Sequence, residues 1–361
     1  MQYNESPESG TPVDSQYPGV SYVVPVLNEE AYIAASVAAI LAQDYPGPKE
    51  LILALGPSTD RTNHILAELA ASDPRIILVE NPRVDIPVGL NLAIQRSQYP
   101  IVVRVDAHSE LSENYTRDGV KTLLEHDVAN VGGIMHAQGK TPFQRAIARA
   151  YNSPFGLGGG AYHGSGDEGP AESAYLGIFR REVLFEAGLY DETIRRGEDW
   201  ELNLRIRNAG HTVWFNPSLS VTYWPRDTWR NLARQFAATG TWRAELVRRY
   251  AGRNPWRFFV PPLLVLVCFA SVLLGILQVT GVVSGLASQI ASILYLGPLL
   301  YLLALVIVSL RMPGPLSITD RFYSLVVFAT MHLSWGFGFL VGLVRGGHKT
   351  TDRSRLGKPG A

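Results

Sequence analysis

Short apolar runs alternate with segments of helical periodicity over residues 20–106. Four runs are rich in β-branched and other large apolar residues, and we predict strands at 20–26, 49–55, 75–80 and 101–106. The segments between them repeat apolar positions every three or four residues, which predicts helices at 29–43, 61–73 and 88–98. Strands that alternate with helices of about 10–15 residues form βαβ units, so we predict an α/β fold with a Rossmann-like, mostly parallel sheet flanked by helices.

A second, wholly apolar pattern extends from Phe258 to Leu310, where no charged side chain occurs. A helix needs about 20 apolar residues to cross a bilayer, so this stretch can hold two spans. We place them at about 260–280 and 290–310, on either side of a small and weakly polar segment. A third apolar segment at 322–344 contains a histidine and three glycines, so we expect it to be broken, re-entrant or packed on the other two.

The basic residues predict how these segments are oriented. Several arginines precede the first span, whereas the loop after it has none, so the positive-inside rule places the N-terminal part in the cytoplasm. These arginines are Arg243, Arg248, Arg249, Arg253 and Arg257. Three complete crossings would put the basic tail on the opposite side, so either the third segment does not cross or the rule fails there. Of the two, we expect a non-crossing or re-entrant third segment.

Composition sets further limits. The 32 Lys and Arg residues balance 32 Asp and Glu residues, so charge gives no case for nucleic acid as a partner. The single cysteine, Cys268, excludes an intrachain disulfide. The first 19 residues lack the basic and apolar regions of a secretory signal and are rich in Pro, Gly and Ser, so we expect a disordered leader.

Residues 228–258 interleave aromatic side chains with arginines. This pattern predicts amphipathic interfacial helices or, alternatively, a domain-packing helix with a solvated face. The predicted organisation is a leader at 1–19, an α/β domain at 20–227, interfacial helices at 228–258, a transmembrane region at 259–345 and a basic tail at 346–361.

Polar residues follow the predicted strands, at the edge of the sheet where open α/β folds bind ligands. Asp106 and His108 come directly after the fourth apolar run, so an extended chain would direct both side chains to one side. A carboxylate and an imidazole placed in this way can share Mn²⁺ or Mg²⁺. A solvated strand end is the alternative, and two residues alone do not distinguish it from a metal site.

A cluster of acids stands at the start of a predicted helix and consists of Glu198, Asp199 and Glu201. The helix dipole favours acids at this position, which explains the cluster without any function. A carboxylate at a helix N-terminus in a cleft can instead act as a general base. The pattern leaves both explanations open.

Seven segments, taken together and in this order, resemble the family 2 glycosyltransferases of the inverting GT-A fold. In the first half they are "VVPVLNEE" at the first strand, "PSTDRT" after the second, "NPRVDIPVGLNLAI" in the segment under the donor and "VRVDAHSE" at the position of the family's DxD motif. In the acceptor-side half they are "TPFQRAIARAYNSPFG", "YLGIFRREVL" and "GEDWELNLRI". The resemblance covers about residues 20–345. Within the family, the chain looks most like the succinoglycan-type bacterial exopolysaccharide glucosyltransferases. The resemblance implies that the α/β domain has the GT-A fold.

The resemblance also implies roles for single residues. Asp106 and His108 would hold Mn²⁺ or Mg²⁺ on the donor diphosphate, and Asp199 would deprotonate the acceptor hydroxyl. The donor- or nucleotide-binding residues that it implies are Pro25, Asn28, Glu30, Ser58, Asp60, Arg83 and Asp106. The residues that it implies on the acceptor or leaving-group side are Glu198, Trp242 and Arg243.

Two departures from the family pattern limit what it implies. The stretch "LALGPSTD" has Leu55 and Gly56 where many members have paired acids, so a carboxylate that recognises a uridine base is not implied. The stretch "QFAATGTWR" lacks the Gln-x-x-Arg-Trp spacing of processive synthases, so we expect one sugar to be added to each acceptor.

The function implied by the resemblance is that of a membrane-anchored, inverting, metal-dependent hexosyltransferase. It would move a sugar from a nucleotide-sugar donor to a polyprenyl-linked saccharide in cell-surface polysaccharide or glycolipid synthesis. The chain would be a multi-pass protein of the inner (plasma) membrane with a cytoplasmic catalytic domain, and its further partners would be membrane lipid and a polysaccharide assembly complex. The alternatives are a polyprenyl-phosphate sugar synthase and a non-catalytic nucleotide-sugar-binding subunit of an export complex.

Overall fold

The computed structural model describes residues 17–157, 166–250 and 254–347, and most of the predicted leader and basic tail lies outside these ranges. The strands are β1 (Val20–Val26), β2 (Lys49–Leu55), β3 (Ile76–Glu80), β4 (Ile101–Arg104), β5 (Glu110–Leu111), β6 (Asn130–Ala137), β7 (Gly169–Pro170), β8 (Tyr175–Arg180) and β9 (Val213–Tyr223). The first seven helices are α1 (Ile33–Leu41), α2 (Thr62–Ser72), α3 (Ile86–Arg96), α4 (Tyr115–Glu125), α5 (Pro142–Tyr151), α6 (Arg181–Glu186) and α7 (Glu198–Asn208). The C-terminal helices are α8 (Trp229–Arg249), α9 (Val260–Val279), α10 (Gly285–Ala291), α11 (Leu296–Arg311) and α12 (Ile318–Arg345).

The described strands form one mixed sheet in the order β3-β2-β1-β4-β8-β6-β9-β5, with β7 paired to β9. The first four strands are parallel, as the βαβ pattern predicts. Strand β8 is antiparallel to both of its neighbours, and β6 is parallel to β9. The parallel half of the sheet therefore contains the segments of the sequence whose alternation is clearest.

Side-chain alternation along the strands explains why helices cover both faces of the sheet. Tyr22 of β1 lies in one buried cluster together with Ile33 of α1 and Leu123 of α4. Val23, the next residue, lies in a second buried cluster together with Leu202 of α7. The two faces are thus both apolar, which is typical of a sheet built from βαβ units.

The predicted strands and helices are confirmed: β1 and β2 have the predicted bounds, α3 begins and ends two residues earlier than predicted, and the other four elements are shorter. The fourth strand ends at Arg104, so Asp106 and His108 lie in the loop that follows, and the extended geometry predicted for them is wrong. The first helix begins only at Ile33, because Asn28 has a left-handed backbone conformation with φ of 54° that turns the chain. The ends of the elements depend on such turns, which the apolar pattern does not encode.

Three helical stretches are long and apolar enough to cross a membrane, and they are Trp256–Val279, Gly285–Arg311 and Ile318–Arg345. The first two contain the two predicted spans. The third is one unbroken helix of 28 residues, so the expectation of a broken segment is wrong. A capping box between Ser317 and Asp320 begins this helix, and Gly346, with φ of 75°, follows its last residue.

Helix α12 packs along α8, and the two helices point in the same direction. The indole of Trp229, at the start of α8, donates a hydrogen bond to Thr330, and the hydroxyl of Thr241 donates to the carbonyl of Gly338 at 3.0 Å. A Cβ atom at Gly338 would lie 2.0 Å from the carbonyl oxygen of Ala237, so only glycine permits this approach.

The third apolar segment also contacts the other two. The ring centroids of Phe339 and Phe259 lie 5.9 Å apart. The hydroxyl of Tyr301 lies 3.1 Å from Nδ1 of His332. The expectation that the third segment packs on the other two is therefore confirmed.

Candidate active site

A cavity of about 400 Å³ opens where the ends of β1 and β4 meet the N-terminus of α7 and one side of α8. Its charged lining residues include Glu29, Asp85, Arg104, Asp106, His108, Glu198 and Asp199. Its apolar and aromatic lining residues include Met135, Tyr151, Tyr175, Tyr223 and Phe236. The charged residues suit a cation and phosphate groups, and the aromatic residues suit a sugar ring or an apolar group.

Helix α7 begins at the cavity because Gly197 precedes it with φ of 77°, a conformation that glycine adopts at little cost. Glu198 and Asp199 then occupy the first turn, where the positive end of the helix dipole stabilises a carboxylate. Both line the cavity. Glu201 is buried instead, and its carboxylate accepts hydrogen bonds from Arg205 on the same helix. The structure thus divides the acidic cluster into two residues of the cavity and one of the interior.

Arg104 connects the two segments in which the sequence predicts chemistry. It is the last residue of β4, it is only 3% exposed, and its guanidinium contacts the carboxylate of Asp199. Its Nη2 atom lies 3.3 Å from Oδ1 of Asp106 and 3.3 Å from Oε1 of Glu198. Burial alone would lower the pKa of Arg104, but the carboxylates of Asp199 and Asp106 raise it well above its ordinary value. The guanidinium therefore stays charged inside the protein.

Asp199 has the properties of a base near neutral pH. Burial raises the pKa of its carboxyl to about 6, the guanidinium of Arg104 opposes this rise, and the carboxylate of Glu198 adds to it. The hydroxyl of Tyr190 donates a hydrogen bond to Oδ1 of Asp199 at 3.3 Å. A carboxylate with this pKa is mostly ionised at pH 7 and is more basic than an ordinary aspartate, which suits it to accept a proton.

Asp106 and His108 both line the cavity, although a loop places them there and not a strand. Asp106 is buried, and Nδ1 of His108 lies 3.2 Å from Oε1 of Glu29. Among the described residues, no group of three His, Cys, Asp or Glu side chains is arranged to hold a metal ion. The carboxylate of Asp106 and the imidazole of His108 are groups that could hold a cation, with water or a bound phosphate as its further ligands.

Hydrogen bonds join the loop after β1 to the loop after β2, and they involve four of the predicted donor-binding residues. The N–H group of Asn28 donates to the hydroxyl of Ser58 at 3.0 Å, and the N–H group of Glu30 donates to Asp60 at 3.2 Å. Pro25 lines the cavity, whereas these four residues do not. Their contacts fix the shape of the loops, and their contact with a donor stays a prediction.

The remaining predicted residues are divided between the cavity and other places. Arg243 lines the cavity, and its guanidinium stacks over the ring of Trp200 with 4.9 Å to the ring centroid. Trp242 precedes it on α8 and is buried in an apolar cluster, away from the cavity lining. Arg83 lies outside the lining and forms a salt bridge with Glu192. The structure therefore does not bring Trp242 or Arg83 to the cavity.

Several residues of the cavity carry no motif that sequence analysis identified. Arg104 did carry a signal, because a charged residue within a β-branched strand needs buried partners of opposite charge. Tyr151 of α5 and Tyr223 of β9 stack with 5.4 Å between their ring centroids, although they come from distant parts of the chain. No local pattern predicts such a meeting, so the aromatic residues of the cavity could not be found from the sequence.

Comparisons with known proteins agree with this geometry. The family model described as Glycosyl transferase family 2 matches residues 21–186. The succinoglycan biosynthesis protein ExoA of Rhizobium meliloti (strain 1021) is 30% identical over 256 residues, which are 70% of this chain and 77% of that protein. The dolichyl N-acetyl-alpha-D-glucosaminyl phosphate 3-beta-D-2,3-diacetamido-2,3-dideoxy-beta-D-glucuronosyltransferase of Methanococcus voltae is 23% identical over 249 residues, which are 66% of this chain and 77% of that protein.

Among solved structures, the fold is similar to that of the mannosyltransferase PcManGT from Pyrobaculum calidifontis in complex with GDP-Man and Mn²⁺. The TM-score is 0.56 at 19% sequence identity, and the match covers 94% of this chain and 91% of that one. Such coverage includes the C-terminal helices as well as the sheet. The predicted fold class, a GT-A domain followed by a helical C-terminal region, is therefore confirmed.

Proposed function

The chain belongs to glycosyl transferase family 2, and on this premise we propose that it is an inverting, metal-dependent hexosyltransferase. One observation carries the proposal: Asp199 and Asp106 face the same cavity and contact the same guanidinium, that of Arg104. One carboxylate is placed to take a proton from an acceptor, and the other to hold the cation of a donor. Both functions are needed for a direct transfer of a sugar.

Each proposed role follows from the chemistry of the side chain. Asp106 and His108 would hold Mn²⁺ or Mg²⁺, which when bound neutralises the charge that develops on the departing diphosphate. Asp199 accepts the proton of the acceptor hydroxyl while the oxygen of that hydroxyl attacks the anomeric carbon of the donor. The bond from that carbon to the diphosphate breaks, its electron pair leaves with the diphosphate, and the attack from the opposite face inverts the anomeric configuration.

A cation at this site has indirect support from a protein of the same fold. PcManGT was solved with GDP-Man and Mn²⁺, and its structure matches this chain from the sheet to the C-terminal helices. In this chain the carboxylate of Asp106 and the imidazole of His108 are the donor groups that Mn²⁺ accepts. The choice between Mn²⁺ and Mg²⁺ is left to experiment.

We propose further that the acceptor is a polyprenyl-linked saccharide in cell-surface polysaccharide or glycolipid synthesis. ExoA is named for succinoglycan biosynthesis, and the Methanococcus voltae enzyme is named for a sugar carried on dolichyl phosphate. The three apolar helices that follow the catalytic domain would hold the cavity next to membrane lipid. Tyr223, which lines the cavity and is only partly buried, offers an aromatic ring for a saccharide, and its ring stacks on that of the buried Tyr151.

We propose that the catalytic domain faces the cytoplasm from the inner (plasma) membrane. Arginines of α8 precede the first apolar helix, and the segment between the first two apolar helices has no basic residue. The positive-inside rule places such an arginine-rich flank on the cytoplasmic side. In this orientation the cavity meets the aqueous compartment that contains nucleotide sugars.

The proposal is tested by transfer from labelled nucleotide sugars to a membrane lipid extract, with Mn²⁺, with Mg²⁺ and with a chelator. We expect one donor to label the lipid fraction and the chelator to abolish the label. Mild acid then distinguishes the acceptors, because it releases a labelled oligosaccharide from a lipid-linked saccharide and a labelled monosaccharide from a polyprenyl-phosphate sugar. Release of free monosaccharide overturns the saccharide acceptor, and donor binding without any transfer indicates a non-catalytic subunit.

A further inference from the structure

Arg104 is a charged residue at a position where the fold alone favours an apolar one. It ends a strand in the middle of the sheet, between β1 and β8, and the three residues before it are buried and apolar. Burial of a guanidinium is costly unless the charge is paired, and a buried ion pair is often no more stable than well-packed apolar side chains. Stability is therefore a weak reason for an arginine here.

The contacts of Arg104 indicate a role in the transfer reaction. Its guanidinium has three carboxylate partners, and they come from two segments that are far apart in the chain. Asp106 belongs to the loop after β4, and Glu198 and Asp199 belong to the first turn of α7. A guanidinium is planar and presents its donors in a rigid fork, so it can hold carboxylates from both segments at fixed positions. A lysine has a single charged atom and cannot do this.

We propose that Arg104 is a positioning residue of the transfer reaction, which holds the proton-accepting carboxylate of Asp199 and the cation-binding carboxylate of Asp106 on one guanidinium. The inference rests on the proposed function, because it takes the roles of these two carboxylates from it. In this proposal Arg104 acts on the reaction through the two carboxylates that it holds. Its effect is to keep the base and the donor site at the separation that an in-line attack requires.

Charge balance gives the proposal a second consequence. Asp106, Glu198 and Asp199 bring three carboxylates to the site, and Arg104 supplies a positive charge among them. Removing this charge leaves a more negative site, which attracts a divalent cation more strongly. The geometry of the two carboxylates is lost at the same time. We therefore expect cation affinity and turnover to change in opposite directions, which a merely structural role would not produce.

The test compares Arg104→Gln and Arg104→Lys in the purified full chain with wild type. Arg117→Gln is the matched control, because Arg117 forms a partly exposed salt bridge with Asp44 and lies outside the cavity lining. Three quantities are measured: kcat for sugar transfer, the Kd for Mn²⁺ alone without donor, and the midpoint of thermal unfolding. The Mn²⁺ titration follows the electron paramagnetic resonance signal of the free ion, so it does not depend on activity.

For Arg104→Gln we expect kcat to fall by about 100-fold or more and Mn²⁺ to bind at least about threefold more tightly. For Arg104→Lys we expect the Mn²⁺ affinity to stay within about twofold of wild type, because the charge remains, while kcat falls by about tenfold or more, because the fork is lost. Arg117→Gln is expected to match wild type in both quantities.

Two results overturn the proposal. One is a kcat within twofold of wild type in Arg104→Gln. The other is a joint loss of Mn²⁺ affinity, turnover and thermal stability in both variants, which would assign Arg104 to the fold alone. If the wild-type chain transfers no sugar, the proposed function fails, and the titration still decides the inference: an unchanged Mn²⁺ affinity in Arg104→Gln contradicts the charge balance on which it rests.

Discussion

Asp199 and Glu201 lie two positions apart on α7, and the structure gives them different partners. The carboxylate of Asp199 faces the cavity and contacts Arg104, whereas that of Glu201 is buried against Arg205. The helix dipole favours both acids equally well, so the dipole does not explain why one of them faces a cavity. The position in the helix does not distinguish the two acids, but their surroundings do. These surroundings fit Asp199 for a role in the reaction and Glu201 for a role in the packing of the interior.

Replacing Asp199 with Asn removes the proposed base and keeps the shape of the side chain. We expect kcat to fall by about 10³-fold, because general base catalysis contributes about 10²–10⁴-fold, while the KM for the donor changes little. Asp127→Asn is the matched control, because Asp127 is exposed and pairs only with Arg180 among the residues that the structure describes. An Asp199→Asn variant that retains a tenth or more of the wild-type kcat would contradict the assignment.

The pH dependence of transfer follows from the same residue. Asp199 can accept a proton only when it is ionised, and burial raises the pKa of its carboxyl from 3.8 to about 6. The ionised fraction therefore falls as the pH decreases through about 6. We expect kcat/KM, measured at saturating cation, to be constant near neutral pH and to fall tenfold per pH unit below about 6. A profile that stays flat down to pH 4 would contradict a raised pKa for the carboxyl of Asp199.

The residues of the site differ in how far the sequence predicts them. Asp106, His108 and Asp199 lie in motifs, and the structure brings all three to one cavity. Arg104 could not be assigned a role in this way, because the sequence of a short strand does not show which distant carboxylates its arginine contacts. The aromatic rings of the cavity meet through the tertiary fold, which no local pattern contains. Residues of the site that lie in short motifs could therefore be predicted from the sequence. Residues that reach the cavity only through the packing of distant segments could not.

At the scale of elements, the start of α7 depends on one glycine. Gly197 has φ of 77°, and a Cβ atom there would lie 3.0 Å from Cδ1 of Leu246 on α8. The left-handed conformation ends the preceding loop and directs the first turn of α7, with Glu198 and Asp199, into the cavity. The position of the proposed base is thus fixed by a backbone conformation that L-residues rarely adopt.

Gly197→Ala tests this dependence. We expect the substitution to destabilise the protein by about 1–2 kcal/mol through backbone strain and to lower kcat by about tenfold, because the contact with Leu246 shifts the first turn of α7. Gly210→Ala is the control, because Gly210 also has a positive φ, of 94°, but a Cβ atom there meets nothing within 4 Å. We expect the control to lose a similar amount of stability and to keep the kcat of wild type. Equal kcat in both variants would contradict this account of α7.

The strands and the first two apolar spans could be predicted because each is a local run of apolar residues. The third apolar segment could not be predicted in this way, since its glycines and histidine suggested a break. In the structure Gly338 and Gly342 allow close packing on α8, and Gly336 allows close packing on Pro261 of α9. The ring of His332 forms hydrogen bonds with Tyr301 and with the carbonyl of Phe155. Glycine and histidine are thus unfavourable in an isolated membrane-spanning helix, but they are accommodated in a helix that packs on other helices.

At the scale of the whole molecule, both ends of α12 contact the catalytic part of the chain. Asp320, in its first turn, forms a salt bridge with Arg149 of α5 at 3.4 Å, and the N–H group of Gly347, just after it, donates to Glu245 of α8 at 3.2 Å. If α12 crossed the bilayer, α8 would have to cross beside it together with several arginines, which is costly. We therefore propose that the chain crosses the membrane twice and that α12 stays on the side of the catalytic domain.

Cysteine labelling tests this topology in a Cys268→Ser background. We expect Val282→Cys, between the first two apolar helices, to react with a membrane-impermeant thiol reagent in intact cells. Arg345→Cys, at the end of α12, and Asp127→Cys, in the catalytic domain, should react only after the membrane is permeabilised. Labelling of Arg345→Cys in intact cells, together with protection of Asp127→Cys, would instead establish a third crossing.

If Asp199 acts as base in a single direct displacement at the donor, transfer inverts the anomeric configuration of the sugar. This configuration is determined by NMR from the coupling constant of the anomeric proton in the product of the wild-type enzyme. We expect a configuration opposite to that of the donor, because the acceptor oxygen attacks from the face opposite to the diphosphate. A product that retains the donor configuration would contradict direct displacement, since retention requires a different arrangement of catalytic groups from the one proposed for this cavity.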